Sequence, residues 1–363
     1  MPKQITSPDA PALAELCATL ADRAIDMDRD GQWPGEQLRL CGEAGVFRWF
    51  LDAAWGGQGL SDEQVVRGYL ALSAACLTTT FVITQRTGAC RRIEGCQNEA
   101  LKRRLLPGLA TGELFATVGI SHLTTSRRHL GRPVLTAEAY PGGFRLNGMS
   151  PWVTGAKAAD VIVIAATLVE HGEATDRQLL MAVPTDLPGV TVAEPLPLIG
   201  VSASSTGPVH VKDVEVSNDW LIAGPLENVM LSGLGGSTGG YETSTLAIGL
   251  AQAALDFLAA ESLNRDELTA PLLALRAEHS ALRDDLLLVV RGEPGCTKES
   301  VRQRANSLVL RASQASLSAA KGSGYVVGHP AGRWCREALF FLVWSCPQPV
   351  AAANLCELAG IAL

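Results

Sequence analysis

Apolar positions recur three and four residues apart through the first third of the chain. "PALAELCATLADRAIDMDRD" (11–30) carries that spacing and predicts a helix. "WPGEQLRLCGEAGVFRWF" opens with a proline near a helix start and stops at Gly45. "AAWGGQGLSDEQVVRGYLALSAACL" reads as a Gly-rich loop followed by a helix, with Ser61 and Gln64 spaced for a capping box. From residue 113 the period shortens. "LFATVGI", "PVLTAEAY", "GFRLNG", "ADVIVIAATL", "QLLMAVP", "GVTVAE" and "GPVHVKDVEV" are short alternating or apolar runs separated by turns such as Pro141-Gly142-Gly143. They predict an all-β unit of about seven strands, a small barrel or sandwich. Helical spacing then returns in "ETSTLAIGLAQAALDFLAAESL", "LLALRAEHSALRDDLLLVV", "KESVRQRANSLVLRASQASLSAAKG" and "GRWCREALFFLVWS", followed by Pro347 and a short terminal helix. The expected class is α+β multidomain: helices over 1–112, a β domain over 113–216, helices over 217–363. Strands and helices do not alternate, and no GxGxxG stands in the right context, so a Rossmann fold is disfavoured.

Composition narrows this picture. Hydrophobic residues make up 47% and charged residues 18% of the 363, which suits a large buried core and argues against disorder. The net charge of −7 gives no bulk attraction to nucleic acid. No apolar stretch is expected to span a bilayer, and the first residues lack the basic-then-apolar pattern of a secretory signal, so the expected location is cytoplasmic. The cysteines number nine, with no CxxC pair, and read as reduced core thiols. No zinc-type ligand spacing is present.

The chemistry concentrates in "GGFRLNGMSPWVTGAKAADVIVIAATL". With "AAWGGQGLSDEQ" before it and "LPGVTVAEPLPLIGVSASSTGPVHVKDVEV" after it, this stretch resembles the acyl-CoA dehydrogenase family over nearly the whole chain. The resemblance implies an N-terminal helical domain, a β domain, a C-terminal four-helix bundle, bound FAD, an acyl-CoA substrate, an electron acceptor and a homodimer or homotetramer. It implies that Trp152 packs on the flavin ring and Thr154 bonds its N5 edge, with Val153 between. An indole suits a flat isoalloxazine, and a small hydroxyl leaves room for a hydride; the alternative is a Trp that covers core at a strand start. Arg265 matches the family's pyrophosphate-binding Arg, whose planar fork suits a diphosphate. "KGSGY", with Gly322 and Gly324, matches the Gly-rich stretch near the adenine half of a neighbouring subunit's FAD. Ser318 stands where the family has Gln.

Two departures matter. Where the family carries Thr-Glu and Gly-Ser-Asp around the flavin, this chain reads "ISHLTTSRRHLGR", which sets His122 on the Thr and Arg128 on the Ser. Thr124, Thr125 or Arg128 are candidates to hold flavin or phosphate, and Arg127, Arg128 and His129 to attract CoA phosphates, against a reading as a solvated basic loop. The second departure is the base. In the family a Glu removes the α-proton; here Arg336-Glu337-Ala338 matches the preceding helix and Ser345 falls on the Glu. Serine is no base at neutral pH without an activator, although its backbone N–H can donate to a thioester carbonyl. The other position used in the family falls near Gly239-Gly240, and Glu242 lies about one turn on. Glu242 is the candidate base; its alternative is a helix-start Glu that favours the macrodipole. The functional expectation is therefore FAD-dependent α,β-dehydrogenation of an acyl-CoA-type thioester with a relocated or lost base. A flavin monooxygenase of the same fold and a non-catalytic binding or assembly subunit remain the alternatives.

Overall fold

The computed structural model describes residues 4–124, 133–232 and 240–361. Five helices come first: α1 (Pro11–Asp30), α2 (Gly35–Glu43), α3 (Asp62–Ala75), α4 (Leu77–Gly95) and α5 (Glu99–Thr111). The capping box forms at the start of α3: Ser61 Oγ accepts from the Gln64 N–H at 3.3 Å, and Gln64 Oε1 accepts from the Ser61 N–H at 2.9 Å. Helix α4 is buried on most of its circumference, although its sequence carries three arginines. Arg86, 1% exposed, lies 3.9 Å over the Phe47 ring and donates to the Leu109 carbonyl.

The sheet follows: β1 (Ala116–Gly119), then a single turn α6 (Ser121–Thr124), β2 (Leu135–Tyr140), β3 (Gly143–Val153), β4 (Val161–Glu170), β5 (Glu173–Pro184), β6 (Val190–Val192), β7 (Gly207–Ser217) and β8 (Leu221–Glu227). The seven runs expected from the sequence are its first seven strands, and β8 extends the sheet past residue 216. The order is β6-β7-β3-β2-β4-β5-β8, with β1 paired in parallel to β4. One face, including Val163 and Ala165, packs on Leu105 and Leu109 of α5. The other, including Leu146, Ile162 and Val214, forms the sheet's own core. Alternation along each strand separates the two faces.

The last third is helical: α7 (Tyr241–Ser262), α8 (Thr269–Arg291), α9 (Lys298–Ala320), α10 (Pro330–Ala338) and α11 (Gln348–Leu358). Gly249 lets α7 approach α3, since a Cβ there would sit 2.6 Å from the Leu70 carbonyl oxygen. Contrary to the expectation that no stretch reaches bilayer length, α7 is long and apolar enough to cross a membrane, with mean hydropathy 1.3. Its apolarity is spent on packing: Leu246, Leu250, Ala254 and Leu255 lie in the main core with residues of α3, α8 and α9. All nine cysteines are free thiols.

Candidate functional site

Three of the residues singled out in the sequence meet at one cavity. Trp152 from the end of β3, Glu242 from the first turn of α7 and Ser345 from the turn after α10 line a space of about 170 Å³, together with residues of α3, α4 and β1. The exposure of Trp152 has a local cause. Ser150 pairs with Val209 and Val153 with Gly207, so two residues of β3 oppose one of β7. This bulge turns Pro151 and Trp152 out of the ladder. The indole is left 45% exposed beside Val118 and Ile120. Val153 is fully buried in the sheet core. Thr154, also buried, joins a hydroxyl chain: its Oγ1 lies 2.9 Å from Thr206 Oγ1, which lies 2.8 Å from Ser204 Oγ. Gly155 completes the turn at φ 65°, where a Cβ would also strike Trp33 at 2.5 Å.

On the helical side Arg91 of α4 donates to Glu242 Oε1 at 2.9 Å, and the two side chains are 24% and 21% exposed. Burial works against the Arg91 charge, but Glu242 and Tyr241 outweigh it and hold the guanidinium above its ordinary value. Burial, then the Glu242 carboxylate, push the neighbouring Tyr241 hydroxyl up to about 12. Burial pulls Arg92 down to about 10, so it stays a cation at neutral pH. The cavity thus carries two guanidiniums against one carboxylate. Arg91 escapes a sequence reading because α4, "LTTTFVITQRTGACRRIEG", has no amphipathic stripe. The adjacent pair Arg91-Arg92 next to the small residues Gly88, Ala89 and Cys90 is the signal that could have found it.

The segment bearing Ser345 is tied down from below. Arg302 of α9, 2% exposed, donates through Nη2 to the carbonyls of Phe341 and Trp344 at 3.1 and 3.0 Å, and Asn306 Nδ2 donates to the same Phe341 carbonyl. Trp344 stacks on Phe340 with ring centroids 5.1 Å apart and meets Phe81 edge-on. Ser345 follows at φ 45°, an uncommon conformation for a residue with a side chain. In α10, one turn below, Arg333 Nε and Glu337 Oε2 are 3.8 Å apart with side chains 6% and 2% exposed. Burial pushes the Glu337 carboxyl up to about 7, against the opposing pull of Arg333.

The other sequence candidates lie elsewhere. His122 turns into the protein: it is buried, with Nε2 2.9 Å from the Ala165 carbonyl, and burial lowers its pKa. Thr124 ends α6; Thr125, Arg127, Arg128 and His129 lie outside the described residues. Arg265 stands beyond the far end of α7, about 35 Å along the helix axis from Glu242. It donates to the Ala319 carbonyl at 2.6 Å and pairs with Glu261 and Glu267. Gly322 and Gly324 follow Ala319 in the turn after α9. Arg265 and these glycines therefore form one cluster, and Trp152 and Glu242 another. Among the described residues no group of acidic, His or Cys side chains could hold a metal.

A bulge-extruded indole over Val118 and Ile120, next to an ionised pair and a tethered turn, offers a flat apolar wall beside polar edges. That donor set fits an isoalloxazine. Helices, an eight-stranded sheet and a helical bundle around such a cavity define a flavoprotein dehydrogenase architecture. Residues 12–113 match the acyl-CoA dehydrogenase N-terminal domain and residues 129–214 its middle domain, so the chain belongs to the acyl-CoA dehydrogenase family. It is 25% identical over 338 residues to the probable acyl-CoA dehydrogenase YngJ of Bacillus subtilis (strain 168), covering 88% of each chain. It is 24% identical over 353 residues to the mitochondrial short-chain specific acyl-CoA dehydrogenase of Bos taurus, covering 90% of this chain and 84% of the relative. The fold superposes on butyryl-CoA dehydrogenase from Megasphaera elsdenii with TM-score 0.81 at 16% identity, over 96% of this chain and 97% of that one.

Proposed function

We propose that the protein is an FAD-dependent α,β-dehydrogenase of an acyl-CoA thioester, with Glu242 as the base. The observation that carries the reading is the shared cavity: Trp152 and Glu242 line one space from opposite elements. The Trp152 indole would hold the isoalloxazine, with Val153 and Thr154 buried behind it fixing the turn; when bound, that ring supplies the acceptor for the hydride that leaves Cβ. Glu242 takes the proton from Cα. Arg91, 2.9 Å away, orients that carboxylate. The Ser345 N–H, on a turn that Arg302 tethers, donates to the thioester carbonyl, which makes the α-proton more acidic. Serine at 345 contributes through its backbone, and the proton acceptor has moved to the start of α7.

Arg265, Gly322 and Gly324 are too far along α7 to serve the same flavin. In this reading they reach the diphosphate and adenine of FAD bound by a second copy, so the working form is a homodimer or homotetramer. Electrons then pass to a separate acceptor. The test is anaerobic titration of flavin-loaded protein with short acyl-CoAs while the flavin absorbance is followed. Wild type is expected to bleach. Glu242→Gln is expected to retain the flavin and bleach at least about 100-fold more slowly. Failure of every thioester to bleach the wild type would remove the dehydrogenase reading in favour of a monooxygenase or a non-catalytic subunit.

A further inference from the structure

The helical wall of the cavity sets several polar side chains beside the apolar Val65 and Val66. Small-molecule sites are predominantly apolar, with a few placed polar groups. Here α3 and α4 present Tyr69, Thr84, Gln85, Thr87 and Arg91, interspersed with Val65 and Val66, across from Glu242 on α7. Some of these groups have internal partners. Thr84 Oγ1 donates to the Thr80 carbonyl at 2.9 Å, and the Tyr69 and Thr87 hydroxyls lie 3.3 Å apart. Each hydroxyl still has lone pairs to offer. The Gln85 amide hydrogen-bonds to no other described residue, and its side chain lines the cavity.

An alkyl tail placed here would displace water from an amide, several hydroxyls and an ion pair, and return no hydrogen bond to any of them. Stripping polar groups without replacement is the costly case. An acyl group with oxygen at its far end returns those bonds.

Resting on the dehydrogenase reading for the site itself, we propose that the acyl group accepted here is short and carries an oxygen substituent, hydroxyl or carboxylate, at its distal end, and that Gln85 is a principal reader of that oxygen. Two polar thioesters, 4-hydroxybutyryl-CoA and glutaryl-CoA, distinguish the two oxygen types. Pentanoyl-CoA, nearly isosteric with the first, is the apolar control.

Binding is measured by flavin absorbance perturbation and calorimetry on flavin-loaded Glu242→Gln, in which dehydrogenation is suppressed, and again with Gln85→Leu added. At least one polar thioester is expected to bind about 10-fold or more tightly than pentanoyl-CoA, and Gln85→Leu to cut that ratio to about threefold or less. Equal or tighter pentanoyl-CoA binding, a ratio unmoved by Gln85→Leu, or no binding of any of the three would overturn the proposal. Polar thioesters that bind with this preference yet never bleach the wild-type flavin would overturn the dehydrogenase reading and leave this one standing.

Discussion

Two of the Arg–Glu pairs among the described residues have both side chains less than a quarter exposed, and their surroundings differ. Arg91 and Glu242 come from two helices, meet at 2.9 Å and keep about a fifth of each side chain exposed to a cavity. Arg333 and Glu337 sit one turn apart on α10, stand 3.8 Å apart and are almost fully buried. The first pair has short geometry and an open face, so its carboxylate can be reached from the cavity. The second is buried and imperfectly bonded: among the described residues Arg333 Nε and Nη1 and Glu337 Oε2 have no hydrogen-bond partner. Burial then wins over the neighbouring cation and pushes Glu337 toward about 7. An acid–base role needs access as well as charge, and only the first pair offers it.

Breaking the pairs separately tests that contrast. Arg91→Met removes the group that orients Glu242, and is expected to slow flavin reduction by an acyl-CoA about 10–100-fold with the flavin still bound. Rapid-mixing absorbance would measure it; an unchanged rate would make Arg91 a bystander. Glu337→Gln is expected to leave that rate within about twofold and to act on stability instead. A carboxyl whose pKa is raised by folding holds its proton more tightly in the native state. Its stabilising contribution is fully present below about pH 4.5 and is lost as pH rises through about 7. The wild type therefore loses up to about 3 kcal/mol across that window that the variant does not. Thermal unfolding at pH 5 and pH 8 would show the variant gaining on the wild type as pH rises; parallel curves would place the titration elsewhere.

The two pairs also mark where a sequence is legible. Glu242 could be found because a helix start and a family position lie beside it. Trp152 could be found because Asn147-Gly148 and Thr154-Gly155 frame it, although the bulge that exposes it depends on pairing with β7, 55 residues on. Gln85 could not, and Arg91 only through its pairing with Arg92, since α4 is buried on most sides and its sequence has no polar face to mark the side that meets the cavity. Strand β8 was missed for a local reason: "LIAGPLE" carries Gly224 and Pro225, which read as a break. His122 lies in a stretch whose sequence has no fixed landmark, and its buried ring meets the Ala165 carbonyl instead of the cavity.

Everything proposed for the site depends on a flavin lying against the indole of Trp152. The direct measurement is the equilibrium affinity of apoprotein for FAD in the wild type and in Trp152→Ala and Trp152→Phe. Loss of an aromatic wall is expected to weaken binding about 10–100-fold in the alanine variant, with most of it restored by phenylalanine. Equal affinity in all three would mean that the flavin, if it binds, lies somewhere else.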